Sequence, residues 1–260
     1  MKRTRININF KDFPQEFHPF LERAVVYDSS CSPEARVYFL DVDGGLYLKT
    51  SQQKGSLKKE ALMDDYFFKK GLGAPEVVRY LEGERDWLLT SRVSGEDCTH
   101  KDYLADPKRL CDLLAAKLRE LHETDFSGCP ITDHTGNYLA TAEKNYNLGQ
   151  YDLSYFDESS SKEEAFRILQ EGKHILKTDT LLHGDYCLPN IMLDNWNFSG
   201  FIDLGNGGVG ERHVDLFWGA WTLNFNLGTD EYRERFFDVY GRDRVDENIL
   251  KIIAAAEAFG

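Results

Sequence analysis

Up to about residue 95, apolar residues fall in short β-rich runs, at 24–27, 36–40, 46–50, 77–81 and 87–90. Turn formers separate them, including Asp43-Gly44-Gly45 and Glu82-Gly83-Glu84, so this part predicts strands joined by tight connections. A helical stretch at about 56–70 sits among them. Beyond residue 95 the period changes. Residues 107–122 set Leu110, Leu113, Leu114, Leu118 and Leu121 on one helical stripe, and Ser161-Lys-Glu-Glu164 reads as a capping box. Residues 212–226, 229–240 and 246–259 predict three more helices, and 181–204 predicts hairpin-like loops carrying polar groups. The pattern is that of an α+β chain with a β-rich N-lobe over residues 1–95, a junction at about 90–95, and a mainly helical C-lobe over 96–260.

Composition narrows the function classes. The 260 residues are 42% hydrophobic, enough for a real core in one large domain or two lobes. Residues 1–10 contain no apolar run of signal or membrane-span length, so neither export nor insertion is expected. Cys31, Cys98, Cys111, Cys129 and Cys187 are dispersed and lack C-x-x-C spacing, which argues against a disulfide framework or zinc site and for a reducing cytoplasm. A net charge of -13 disfavours nucleic acid and anionic membranes as partners and suits a cationic small molecule. Nothing in the sequence calls for an obligate protein partner.

The chemistry concentrates in Leu181-Leu-His-Gly-Asp-Tyr-Cys-Leu-Pro-Asn190 and Phe201-Ile-Asp-Leu-Gly205. Phosphoryl transfer from ATP needs a carboxylate to orient and deprotonate the attacking hydroxyl, and oxygen ligands for Mg2+ on the phosphates. Asp185 suits the first role; Asn190 and Asp203 suit the second. An aspartate in a loop is ordinarily a turn former, so the ordered set rather than any one residue carries this reading. Asp185 and Asn190 keep the spacing of a protein-kinase catalytic loop, with His-Gly-Asp in place of His-Arg-Asp. A hydrolytic metal on His183 and Asp185 is the weaker alternative, because the other histidines lack ligand spacing. His183 is expected to support the loop.

A kinase site also requires an N-lobe lysine. In Leu46-Tyr-Leu-Lys-Thr50 strand alternation puts Tyr47 and Lys49 on one face, with Leu46 and Leu48 in the core. Lys49 is expected to reach the α- and β-phosphates, Tyr47 to stack on adenine, and Glu60 of the following helix to hold the lysine. The segment 29–36, with Ser32, is expected to fold over the phosphates. At the junction, backbone groups of Ser91 and Val93 are expected to meet the adenine edge.

With these residues in place, the chain resembles the aminoglycoside 3'-phosphotransferases, the kanamycin and neomycin kinase family. The most specific parts are His183-Gly-Asp-Tyr-Cys-Leu-Pro-Asn-Ile-Met192 and Phe198-Ser-Gly-Phe-Ile-Asp-Leu-Gly205. Ser32-Pro33, Leu46-Tyr-Leu-Lys49, Ser127-Gly-Cys-Pro130 and Glu257-Ala-Phe259 support them. The resemblance implies a protein-kinase-like bilobal fold, Mg2+ with ATP or sometimes GTP, and transfer to a sugar hydroxyl, the 3'-hydroxyl above all. It assigns the base to Asp185, metal ligation to Asn190 and Asp203, phosphate contact to Lys49 with Glu60, and adenine stacking to Tyr47. It also implies an acidic substrate site of Asp157, Glu158, Glu257 and the terminal carboxylate of Gly260.

The departures fall on that substrate side. Asn206 and Trp221 stand where the family usually carries arginine, Phe225 and Asn226 at acidic positions, and Ala256 at the aspartate of the terminal motif. An altered aminoglycoside range, or a kinase of another amino sugar or amino alcohol, fits those changes. A nucleotide-binding pseudokinase is the non-enzymatic alternative, which retention of Lys49, Asp185, Asn190 and Asp203 opposes.

Overall fold

The computed structural model describes residues 3–30, 35–157 and 159–260. In chain order the strands among them are β1 (Thr4–Arg5), β2 (Val25–Asp28), β3 (Ala35–Asp41), β4 (Leu46–Ser51), β5 (Val77–Leu81), β6 (Asp86–Ser91), β7 (Glu96–Asp97), β8 (Thr180–Leu182), β9 (Ile191–Asp194), β10 (Asn197–Phe201) and β11 (Gly208–Gly210). The α-helices are α1 (His18–Leu21), α2 (Lys58–Lys69), α3 (Lys101–Leu104), α4 (Pro107–His122), α5 (His134–Leu148), α6 (Lys162–Gly172), α7 (His213–Leu227), α8 (Glu231–Gly241) and α9 (Glu247–Glu257).

Contacts divide the chain into two compact units. The first holds the described residues of Met1–Asp97 together with Ile191–Gly205; the second holds Cys98–Asn190 and Asn206–Gly260. The first break thus lies near the expected junction. The segment Ile191–Gly205, expected in the helical lobe, instead groups with the β-rich one. The reason is pairing: β9 bonds antiparallel to β7, with Glu96 opposite Leu193, and to β10. Asn195 and Trp196 both take positive φ in the tight turn between β9 and β10, as a two-residue hairpin of matching twist requires. Gly95, at φ +89°, has its α-carbon so close to this hairpin that a β-carbon would lie 2.1 Å from the Leu193 carbonyl oxygen.

The main sheet of the first unit is antiparallel, in the order β1-β2-β3-β4-β6-β5. Leu40, Leu46, Leu48, Trp87 and Leu89 meet Phe13, Phe17 and Leu21 in its core. Alternation along β4 buries Leu46 and Leu48 and sends Tyr47 and Lys49 to the other face. α2 buries Glu60, Ala61, Met63, Asp64 and Phe67.

In the second unit, α4 runs over the expected residues, with Pro107 in its first turn and the Asp106 side chain accepting the Arg109 N–H at 3.2 Å. Ser161 caps α6 by accepting the Glu164 N–H at 3.1 Å. α5 lacked a clear signal because it buries little of itself, chiefly Thr135 and Ala142. His213 at the start of α7 donates from Nδ1 to Glu211 Oε1 (2.6 Å) and accepts the Asp246 N–H at Nε2 (2.9 Å), tying α7 to the cap of α9. Among the described residues, no helix is long and apolar enough to cross a membrane, and Cys98, Cys111, Cys129 and Cys187 are buried and form no disulfide.

Candidate active site

In the first unit the site is built around Lys49. Its Nζ donates to Glu60 Oε2 at 2.8 Å and to Asp203 Oδ1 at 2.9 Å. Burial alone would favour the neutral amine, but attraction to Glu60 and Asp203 outweighs it and raises the Lys49 pKa, so the side chain is a fixed cation. Glu60 lies in the first turn of α2, buried where β4 passes. Asp203 follows β10 with φ 61°, a backbone region that aspartate tolerates better than most residues, and its side chain is 51% exposed. One helical turn beyond Glu60, Asp64 is buried, and its Oδ1 has no hydrogen-bond partner among the described residues. Burial, then the neighbouring Glu60 charge, push its pKa well up.

The other expected nucleotide contacts are placed as follows. The Tyr47 ring stands 5.2 Å from Phe39, and its hydroxyl accepts from Arg3 Nη2 at 2.7 Å. Ser91 donates its N–H to the Glu76 carbonyl (2.9 Å) and accepts the Glu76 N–H on Oγ (2.8 Å). Its N–H is therefore committed to the sheet edge, which leaves its carbonyl as the backbone group for the expected adenine contact. Val93 is half-buried just beyond β6. Ser32 lies outside the described residues.

The second unit holds the loop from His183 to Asn190. Asn190 Nδ2 donates to Asp185 Oδ2 at 2.8 Å and to the Asp185 carbonyl at 3.0 Å, fixing the orientation of the carboxylate. The Asp185 N–H donates to His183 Nδ1 at 3.3 Å, the supporting role expected of His183. Gly184 has φ +84°, and a β-carbon there would lie 1.9 Å from the Asn206 carbonyl oxygen, so only glycine fits.

Three supports of this loop escaped the sequence reading. Asp215 of α7 accepts the N–H groups of His183 and Gly184, both at 2.8 Å, and bonds His122 Nε2 at 3.1 Å. Burial lowers the His122 pKa, which leaves it neutral. Its Nε2–H then donates to Asp215, while Nδ1 accepts the Tyr240 hydroxyl at 2.8 Å. Burial works against the Asp215 charge, but these donors win and hold its carboxyl below the usual range. Thr222 Oγ1 accepts the Leu188 N–H at 3.1 Å and the Asn226 amide at 3.2 Å. No local motif marks these residues, because the groups of the loop or of Asp215 that they bond lie some thirty or more positions away. The one available signal was the run of polar residues along the otherwise apolar α7.

On the substrate side the expected carboxylates part company. Asp157 is exposed, and its Oδ1 accepts the Ser159 N–H (2.9 Å) and hydroxyl (2.7 Å), which lowers its pKa and keeps it charged. Glu257 differs from the expectation: it is only 7% exposed, and its Oε1 takes hydrogen bonds from Tyr138 (2.9 Å) and Trp218 (3.0 Å). Burial, partly offset by these donors, pushes its pKa up to about 7, well above the usual carboxylate range. Gly260 is exposed and donates its N–H to the Glu257 carbonyl at 3.0 Å. Glu158 lies outside the described residues.

Among the described residues no group of three or more His, Cys, Asp and Glu side chains is arranged for a metal. Mg2+ does not need one: it is commonly held by one or two protein oxygens together with substrate phosphates and water. Asp203 offers an accessible carboxylate, and Asn190, with its NH2 spent on Asp185, offers Oδ1. A fixed cation, an oriented carboxylate and oxygen ligands of this kind are the parts that phosphoryl transfer uses.

Residues 33–248 match the phosphotransferase enzyme family, APH. The chain belongs to this family. It is 51% identical to the "Probable aminoglycoside 3'-phosphotransferase" of Lactococcus lactis subsp. lactis, over 100% of this chain and 99% of that protein. It is 30% identical to the aminoglycoside 3'-phosphotransferase of Staphylococcus aureus, over the full length of both. Among solved structures, APH(3'')-Id from Streptomyces rimosus superposes with a TM-score of 0.79 at 23% identity, covering 97% of this chain and 99% of that one. The aminoglycoside-3'-phosphotransferase of type VIII gives 0.76 at 24% identity, covering 95% and 100%. These two are likenesses of fold, and they agree with the α+β, kinase-like class expected of this family member. The chain is a phosphotransferase.

Proposed function

We propose that this phosphotransferase moves the γ-phosphoryl group of ATP to a hydroxyl of an aminoglycoside antibiotic, the 3'-hydroxyl, and thereby confers resistance in the cytoplasm. The observation that carries this reading is the 51% identity to the Lactococcus lactis relative over 100% of this chain and 99% of that protein, and this chain carries Lys49, Glu60, Asp185, Asn190 and Asp203. In the reaction Asp185 orients the acceptor hydroxyl and takes its proton as the oxygen attacks γ-phosphorus. A new P–O bond forms, the bond to the β–γ bridging oxygen breaks, and ADP leaves with that electron pair. Lys49 contacts the α- and β-phosphates, positioned by Glu60, while Asn190 and Asp203 hold Mg2+. When bound, the metal neutralises phosphate charge and orients the donor. Tyr47 stacks on adenine, with Ser91 and Val93 along its edge; GTP is the alternative donor.

The acceptor is a polycation, which the net charge of -13 and the ionised Asp157 favour. Phosphorylation leaves the drug less cationic. The test is ADP release by the purified protein with Mg·ATP and kanamycin, neomycin or a congener lacking the 3'-hydroxyl. Turnover with the first two alone is expected; equal turnover with the congener excludes 3'-transfer. Asp185→Asn is expected to lower kcat by about two to four orders of magnitude with ATP affinity nearly intact. A fully active variant would remove Asp185 from the role of base.

A further inference from the structure

On α7, Trp218, Trp221 and Phe225 recur at spacings of three and four residues and so share one helix face. Trp221 and Phe225 are stacked, with ring centroids 4.9 Å apart and planes 12° from parallel. Tyr155 packs 5.4 Å from Trp218 and 5.8 Å from Trp221. Trp218 is itself anchored through Nε1 to Glu257. The row ends on Phe225, 68% exposed, so an aromatic surface is held rigid at one end and open at the other. The Tyr155 phenol pKa is raised by burial and then by nearby carboxylates, Asp152 first.

Tyr155 and Trp221 also line an open cavity of about 820 Å³ with Asp157, Glu164, Asp230 and Lys251. The volume lies in the range of small-molecule sites. Arg233, also on its wall, is already paired with Glu247 at 2.6 Å and Glu234 at 2.7 Å. Among the described residues of the wall, Asp157, Glu164 and Asp230 therefore stand against Lys251, whose charge helps to lower the Asp157 pKa.

We propose that Tyr155, Trp221 and Phe225 form an acceptor-specificity wall, stacking on the apolar face of an outer amino-sugar ring whose ammonium groups meet Asp157, Glu164 and Asp230. The proposal rests on the aminoglycoside reading above and adds how this chain grips that substrate. A pyranose ring carrying ammonium groups supplies both halves of the match: C–H groups for the aromatic faces and cations for the ring quadrupoles and carboxylates. A purely apolar guest would bury those carboxylates unpaired, and a second copy would bring two surfaces of the same strong negative charge together.

Steady-state kinetics of Phe225→Ala, Phe225→Tyr and wild type, with kanamycin and with its fragment lacking the outer ring, test the wall. Phe225 is exposed, so the alanine variant should fold. Phe225→Ala should raise KM for kanamycin roughly fivefold to thirtyfold, as loss of one stacking and cation–π contact implies. Its kcat, its KM for ATP and its KM for the fragment should stay near wild type, and Phe225→Tyr should restore kanamycin KM. Active wild type with an unchanged kanamycin KM in Phe225→Ala overturns the wall alone. So does a shift of that variant from dimer to monomer without a KM change, which would make the face a self-association surface. Failure of wild type itself to phosphorylate kanamycin overturns the aminoglycoside reading and the wall with it.

Discussion

Lys49 Nζ stands 2.9 Å from Asp203 Oδ1 while holding Glu60 at 2.8 Å, so one cation serves two carboxylates from distant parts of the sequence. Both acids belong to the first unit with Lys49, because the β9–β10 hairpin carries Asp203 there. In the reaction proposed above, phosphate would replace Asp203 as a partner of Lys49, and Asp203 would then be available to hold the metal. Glu60 stays as the lysine's support.

Lys49→Met should therefore weaken Mg·ATP binding by about tenfold to a hundredfold, the worth of one charge-assisted hydrogen bond. Equilibrium binding of a nonhydrolysable ATP analogue with Mg2+ measures this. Wild-type affinity in the variant would mean that Lys49 contacts no phosphate.

Asp215 receives two main-chain N–H groups and an imidazole in a site with no exposure. Asp215→Ala leaves these donors buried and unpaired, at a cost of about 3–5 kcal/mol. At roughly 2–4 °C per kcal/mol for a chain of this size, melting should drop by roughly 6–20 °C in a thermal scan. A drop under about 2 °C would show that water replaces the carboxylate.

Glu257 sets a pH dependence of opposite sign to that of a salt-bridged acid. Its folded pKa is raised from 4.5 to about 7, so the folded state holds a proton that the unfolded chain releases. Its favourable contribution is full below about pH 4.5 and is lost as pH rises to about 7, a difference of about 3 kcal/mol. Glu257→Gln, which cannot ionise, should show a smaller loss of melting temperature between pH 5 and 8 than wild type, by differential scanning calorimetry. Parallel pH profiles would mean that Glu257 is ionised throughout.

Local pattern carried much of the fold. The 3.6-residue stripe and the Asp106-Pro107 start marked α4 over its observed span, and alternation along Leu46–Ser51 placed Lys49 and Tyr47 correctly on one face. β1, α1 and α5 were not legible, being either too short for a period or too little buried to show one.

In the candidate site, the loop from Asp185 to Asn190 was readable because the two residues are close enough in sequence for a fixed spacing to imply a fixed geometry. Asp203 was identified by type, but its unit was not, since strand pairing to Glu96 and Asp97 cannot be read from the hairpin's own residues. Glu257 was expected in the acidic substrate site; Tyr138 and Trp218, far away in sequence, bond it in the interior.

By itself the sequence determined the α+β class and the strand carrying Lys49, and it singled out Asp185, Asn190 and Lys49 as the candidates for phosphoryl transfer. These depend on periodicity and short spacings, which neighbouring residues encode. Only the tertiary structure decided which carboxylates face water, that Asp215 and Thr222 hold the loop, and that Tyr155, Trp221 and Phe225 form one surface. Burial and hydrogen bonding of those groups depend on residues brought together from remote segments, whose partners no local pattern names.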